Sequence, residues 1–149
     1  MSTQELIEYV TVHIGGQPFG VEVSEIREVF SPQAITSVPR APDGIAGLLN
    51  LRGRIVTMVE SRTRLGLSAR EADEPAMALG LEEGSDLYGV LVDIVGEVLR
   101  LDPAALEPAP GHLDPRWRAL IRGVYRLEDQ LLAILDVRAL IGRRAAMAA

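Results

Sequence analysis

Phe19-Gly20-Val21-Glu22-Val23-Ser24-Glu25-Ile26-Arg27-Glu28-Val29 returns later in the chain, without a gap, as Tyr88-Gly89-Val90-Leu91-Val92-Asp93-Ile94-Val95-Gly96-Glu97-Val98. The shared pattern is aromatic-Gly-Val-x-Val-polar-x-aliphatic-x-Glu-Val. A second block, Ile45-Ala46-Gly47-Leu48-Leu49-Asn50-Leu51, returns as Ile121-Arg122-Gly123-Val124-Tyr125-Arg126-Leu127. Its register continues through Ile55/Leu131, Val56/Leu132, Met58/Ile134, Val59/Leu135, Glu60/Asp136, Arg62/Arg138 and Gly66/Gly142. Two ungapped blocks in the same order mark an internal duplication, which chance likeness between apolar strands does not readily produce.

Each copy reads as strand, turn, strand, short helical turn, loop, strand, tight turn, strand, helix. Tyr9, Thr11 and His13 alternate with Val10, Val12 and Ile14, the period of a half-buried strand. Gly15-Gly16 supplies a hairpin turn, since glycine takes positive φ at little cost. Arg52-Gly53 marks another tight turn, a place held by Glu128-Asp129 in the second copy. Ser24, Asp93 and Asp136 stand where side-chain oxygens cap a first helical turn, and Gly66 and Gly142 where helices end. Ser68–Pro75 reads as a linker, and Pro103, Pro108, Pro110 and Pro115 break the region before the last hairpin. Glu71 to Asp86 is an acidic stretch, expected to be solvated. The pattern predicts an all-β chain with short helices, as small barrels or a sandwich. Copies of this size are marginal alone, so two barrels packed side by side, with a third apolar layer and a groove at their seam, are the economical solution.

The 149 residues contain 48% hydrophobic and only 4% aromatic side chains, so aliphatic residues must fill the core. The formal net charge is −6, and all 15 basic residues are arginine. An acidic chain with few aromatics is a poor nucleic-acid binder, and the missing lysine excludes Schiff-base and P-loop chemistry. No apolar run approaches the roughly 20 residues of a membrane span, and no signal peptide is recognisable. The absence of cysteine suits a cytoplasmic location and removes disulfides and thiolate metal sites. His13 and His112 have no partner at ligand or catalytic spacing, and Gly-x-Ser-x-Gly, Gly-x-Gly-x-x-Gly and His-Glu-x-x-His are absent. These observations predict a non-enzymatic protein without cofactor or metal. Asn50 and Arg52 become Arg126 and Glu128 in the second copy, and polar positions that diverge after duplication are free to specialise. Arg54 and Arg64 read as solvated, whereas Arg52 reads as a partner-binding guanidinium.

Gly47-Leu48-Leu49-Asn50-Leu51-Arg52-Gly53-Arg54-Ile55-Val56, preceded by Val38-Pro39-Arg40-Ala41-Pro42, resembles the signature of CheW-like domains. Tyr88-Gly89-Val90-Leu91-Val92-Asp93 and Ile134-Leu135-Asp136-Val137 do so as well. The resemblance covers 5–142 and implies two SH3-like five-stranded barrels side by side, with subdomain 1 at about 5–67, subdomain 2 at about 76–142, and the C-terminal helix packing back on subdomain 1. It departs from the family pattern at Thr57-Met58-Val59-Glu60, and Gly80, Glu82 and Glu83 read as an irregular strand.

The resemblance implies a cytoplasmic adaptor, recruited to membrane receptor arrays through protein partners. Those partners are the cytoplasmic tip of a chemoreceptor and the regulatory domain of a CheA-type histidine kinase, with no nucleic acid and no direct membrane insertion. Carried over position by position, the receptor groove comprises Val23, Ile26, Glu28, Arg52, Met77, Gly89 and Val95, with Gly89 admitting the partner helix closely. The kinase-binding face comprises Ile35, Val38, Ala41, Pro42 and Gly47, held extended because a residue before proline is pushed out of helical space. Two other readings remain: a scaffold of a non-flagellar chemosensory pathway, and an SH3-like ligand or nucleic-acid binding module.

Overall fold

The computed structural model describes residues 5–71 and 73–142. Its strands are β1 (Ile7–Ile14), β2 (Gln17–Glu22), β3 (Glu28–Phe30), β4 (Ile45–Leu51), β5 (Arg54–Glu60), β6 (Met77–Glu83), β7 (Asp86–Val92), β8 (Ile94–Leu101), β9 (Ile121–Arg126) and β10 (Leu131–Leu135). Three short helices accompany them: α1 (Ser61–Arg64), α2 (Pro115–Leu120) and α3 (Val137–Ile141). The strands form two five-stranded sheets, β8-β1-β2-β10-β9 and β3-β6-β7-β5-β4, neither closed into a complete barrel by strand hydrogen bonds.

Under the sequence duplication β1 to β5 correspond to β6 to β10, and both sheets then have the same strand order. Each combines the first two strands of one copy with the last three of the other. The exchange is made by the parallel pairings of β2 with β10 and β5 with β7 and the antiparallel pairings of β1 with β8 and β3 with β6. The division near 67–76 therefore marks the repeats in sequence, while each sheet draws on both. β6, expected to be irregular, pairs with β7 along its whole length from Met77↔Val92 to Glu83↔Asp86.

Three apolar layers result. Leu49, Val56, Met58, Ala78 and Leu91 fill one sheet's own interior, and Tyr9, Tyr125, Leu132 and Ile134 fill the other's. The largest layer lies between the sheets and takes residues from both, among them Val12, Phe19 and Val21 on one side and Val59, Leu79 and Val90 on the other. Val137, Leu140 and Ile141 of α3 join this middle layer. Alternation along each central strand feeds opposite layers, which is why both faces are apolar.

The turns follow their residue chemistry. Gly15 and Gly16 have φ of 60° and 82°, and Arg52 and Gly53 have 52° and 88°. Arg52 thus occupies left-handed space that a non-glycine residue enters only under constraint. Asn50 supplies part of that constraint, its Oδ1 accepting the Gly53 amide at 2.8 Å. Asp136 caps α3 through the Ala139 amide, and Gly142 at φ 74° ends the helix, as the sequence implied.

Asp93 and Ser24 behave differently from the expected caps. Asp93 passes the chain directly from β7 into β8, and its carboxylate anchors an ion cluster. Arg62 donates to it at 2.9 and 3.2 Å, Arg70 at 2.6 Å and the Gly15 amide at 2.8 Å. Arg62 also reaches Glu74, and Arg70 reaches Glu60 at 2.9 and 3.0 Å. Burial alone would raise the Asp93 pKa, but these donors outweigh it and hold the carboxyl below its ordinary value. The Glu71 amide and Arg62 do the same for Glu74. Ser24 turns its hydroxyl onto Glu22 and caps nothing. The Ser68–Pro75 linker and the acidic stretch after it are accordingly tied down at Arg70, Glu74, Glu82 and Glu83.

Candidate functional site: two concavities flanking Tyr88

The middle layer fills the seam between the sheets, where a groove was expected, and the two concavities that gather candidate residues lie instead on the sheet β3-β6-β7-β5-β4 and its β3–β4 loop. The first, of about 310 Å³, is surrounded by Arg27, Glu28, Phe30, Leu51, Arg52, Arg54, Leu87 and Tyr88, all from one sheet and its connections. Its floor is apolar and its rim charged. Arg27 pairs with Glu82, and Arg52 pairs with Glu28. Arg52 donates through Nη2 alone to both Glu28 oxygens, at 2.8 and 2.6 Å. It does not use the two-nitrogen fork, so Nε and Nη1 have no partner among the described residues. Arg54 adds a further exposed positive charge to the rim.

The seven groove positions sort into three sets. Glu28 and Arg52 meet at this rim. Val23, Ile26, Met77 and Val95 are half-buried and pack against the middle layer. The crossover from β2 to β3 runs between concavities: Val23 lines a shallow one with Leu6, Glu8 and Arg100, while Arg27 and Glu28 line the charged one. Gly89 departs from its expected role. It is buried opposite Gly80, and a Cβ there would stand 2.8 Å from the Met58 sulfur and 3.3 Å from Phe30. The close approach it permits is to the protein's own Met58.

The second concavity, about 340 Å³, is lined by Val38, Pro39, Arg40, Ala41, Pro42, Ile45, Leu48, Thr57 and Tyr88. It gathers Val38, Ala41 and Pro42 of the expected kinase-binding face. Ile35 turns inward against the layer of Met58 and Leu49. Gly47 lies beneath the loop: Thr36 and Leu48 exchange both backbone hydrogen bonds at 2.8 Å, and a Cβ on Gly47 would collide with the Thr36 carbonyl. Ile35 and Gly47 therefore shape this face from below. Tyr88 lines both concavities, and burial raises its phenol pKa. Sequence reading missed Phe30, Leu87 and Tyr88, since an apolar residue that walls a cavity has the same pattern as one in a core.

Arg54 is exposed as expected, whereas Arg64 is half-buried. Among the described residues no cluster of His, Asp or Glu is arranged to hold a metal ion, and no helix is long and apolar enough to cross a membrane.

Comparison with known proteins places this architecture. The chain is 28% identical over 130 residues to the chemotaxis protein CheW of Rhizobium meliloti, covering 87% of this chain and 84% of that protein. It is 27% identical over 134 residues to the chemotaxis protein CheW of Thermotoga maritima, covering 90% and 87%. The crystal structure of the scaffolding protein TtCheW from Thermoanaerobacter tengcongensis superposes with a TM-score of 0.78 at 24% identity, over 92% of this chain and 87% of that one, a likeness of fold. The profile of the CheW-like domain matches residues 8–145, nearly the whole sequence, and the chain belongs to the CheW-like domain family.

Proposed function

We propose that this protein is a non-enzymatic chemotaxis adaptor that couples the cytoplasmic tips of methyl-accepting chemoreceptors to a CheA-type histidine kinase. The observation that carries the reading is the pair of chemically distinct concavities on one small CheW-like chain. The charged one, with Arg52, Glu28 and an apolar floor, suits an amphipathic helix such as a receptor tip. Val23 lines the neighbouring shallow concavity, and Ile26, Met77 and Val95 are half-buried against the middle layer. The proline-rich one, with Val38, Ala41 and Pro42 over Ile35 and Gly47, suits the barrel surface of a kinase regulatory domain. Holding both partners on one chain raises their effective concentration without chemistry on either. The protein acts in the cytoplasm and reaches the membrane arrays only through these partners.

Capture of a receptor hairpin fragment on immobilised kinase regulatory domain tests this. The fragment should be retained only when the chain is added. Val38→Asp should abolish the kinase contact and spare the receptor contact, and Arg52→Glu the reverse. Loss of both contacts in either folded variant, or of neither, would overturn the assignment of the two faces.

A further inference from the structure

The duplication places two equivalent seams where the chain crosses between sheets, and they are closed very differently. At the first, Asp93 joins β7 to β8, Arg62 follows β5, and Gly15 turns β1 into β2. At the second, Ser24 and Glu25 lie between β2 and β3, Arg138 follows β10, and Gly84 turns β6 into β7. Asp93 corresponds to Ser24, Arg62 to Arg138 and Gly15 to Gly84. One local design is thus used twice with different side chains.

The first seam is sealed. Asp93 receives two guanidinium groups and a backbone amide from three separate segments, and the Arg62 and Arg70 side chains are each only 10% exposed. The second lacks a carboxylate at the crossover position, because serine stands there. Its direct bridge from one sheet's helix to the other sheet's hairpin is Arg138 to Glu83 at 2.7 Å, between side chains 59% and 49% exposed. Arg138 reaches Glu25 only at 3.5 Å. Arg122 approaches Glu25 at 3.4 Å and Glu22 at 2.8 Å, but Arg122 and Glu22 belong to the same sheet and do not tie the two together. Glu25 is itself only 18% exposed, but its Oε1 accepts no hydrogen bond from either arginine, and the Arg138–Glu83 pair lies in solvent. Such contacts are weak and screened by salt, whereas a buried, multiply hydrogen-bonded cluster is not.

We propose that the chain is a hinge with one fixed seam and one yielding seam: the sheets are pinned at the Asp93–Arg62–Arg70 cluster and part at the Arg138–Glu25–Glu83 cluster. α3 moves with the sheet of β10, whose last strand it continues. The crossover carrying Val23 and Ile26, which leads into Glu28 of β3, lies at the yielding seam. On the reading of the groove given above, a docking helix acts where the fold gives way, but the hinge itself does not depend on that reading.

The chain has no cysteine, so paired spin labels report each seam cleanly. Gln17→Cys with Thr63→Cys spans the fixed seam, and Asp86→Cys with Ala139→Cys occupies the equivalent positions at the yielding one. Raising salt from about 0.05 M to about 0.5 M shortens the Debye length roughly threefold. This should lengthen or broaden the Asp86/Ala139 distance distribution and leave Gln17/Thr63 unchanged. Arg138→Gln should give the broadened distribution already at low salt, and Arg138→Lys should restore most of the narrow one. An equal response at both seams, no response at either, or a larger response at Gln17/Thr63 would overturn the proposal. No partner protein is needed, so failure of the hinge and failure of the adaptor reading are separately visible.

Discussion

Arg52 grips Glu28 across the mouth of the charged concavity through a single nitrogen, at 2.8 and 2.6 Å, while its backbone sits at φ 52°. Two constraints, a turn and an ion pair, therefore hold one guanidinium whose Nε and Nη1 make no hydrogen bond to Glu28. Its side chain is 69% exposed, so the pair contributes little to folding, under about 1 kcal/mol. Arg52→Glu should leave the thermal midpoint almost unchanged and weaken receptor-tip binding by about 2–5 kcal/mol if the contact is desolvated in the complex. Arg52→Gly separates the two effects further: the turn relaxes, stability holds or rises, and binding still falls. Calorimetric titration beside urea unfolding would check both.

Gly47 and Gly53 have positive φ, 149° and 88°, in different surroundings. A Cβ at Gly53 meets nothing within 4 Å, so Gly53→Ala should cost only its backbone strain, about 1 kcal/mol. Gly47→Ala adds a collision with the Thr36 carbonyl and dislodges the Ile35–Thr36 segment. Its cost should exceed that of Gly53→Ala by at least about 1 kcal/mol in urea unfolding, and it should also weaken kinase binding.

Val38 is 37% exposed and lies in the proline-rich concavity with Ala41, Pro42 and Leu48. Val38→Asp should leave the fold intact, because the side chain borders solvent. It should lower affinity for the kinase regulatory domain by about 2 kcal/mol or more, the loss expected of an apolar anchor in a docking surface.

Asp93 and Glu74 contribute to the acid limit of the fold. Their folded-state pKa values lie below the ordinary values of 3.8 and 4.5, so the folded state binds these protons less readily than the unfolded chain. The stability they contribute is complete above the unfolded values and is lost as pH falls through the folded ones, below about pH 4. Asp93→Asn leaves Arg62 and Arg70 in a nearly buried site without their shared carboxylate. It should cost about 3–5 kcal/mol near neutrality and flatten the acid limb of the stability curve. Chemical unfolding of both proteins across pH measures this directly.

The sequence carried the duplication, the tight turns and the three apolar layers, because each depends on local period or on glycine. It did not carry the exchange of strands between sheets. Alternation in Phe19–Val23 says which side chains share a face, but nothing local says that β2 lies beside β10, more than a hundred residues away. Arg52 was identifiable as a turn residue that diverges between copies, and Glu28 was expected in the groove only through the family resemblance. That they pair with each other is a tertiary fact. Gly89 shows the same boundary: a glycine in a strand announces a close approach, and only the fold reveals that Met58 makes it. Asp93 read as a cap because the position after a strand is where caps stand, while its true ligands come from the linker and from α1.

Reconstitution tests coupling most directly: chemoreceptor-containing membranes are mixed with a CheA-type kinase, and autophosphorylation is followed with and without this protein. The kinase should respond to receptor stimulus only when the chain is present, and the response should fail with Arg52→Glu or Val38→Asp despite their normal folding. Identical kinase activity and stimulus response with and without the protein would contradict the adaptor reading.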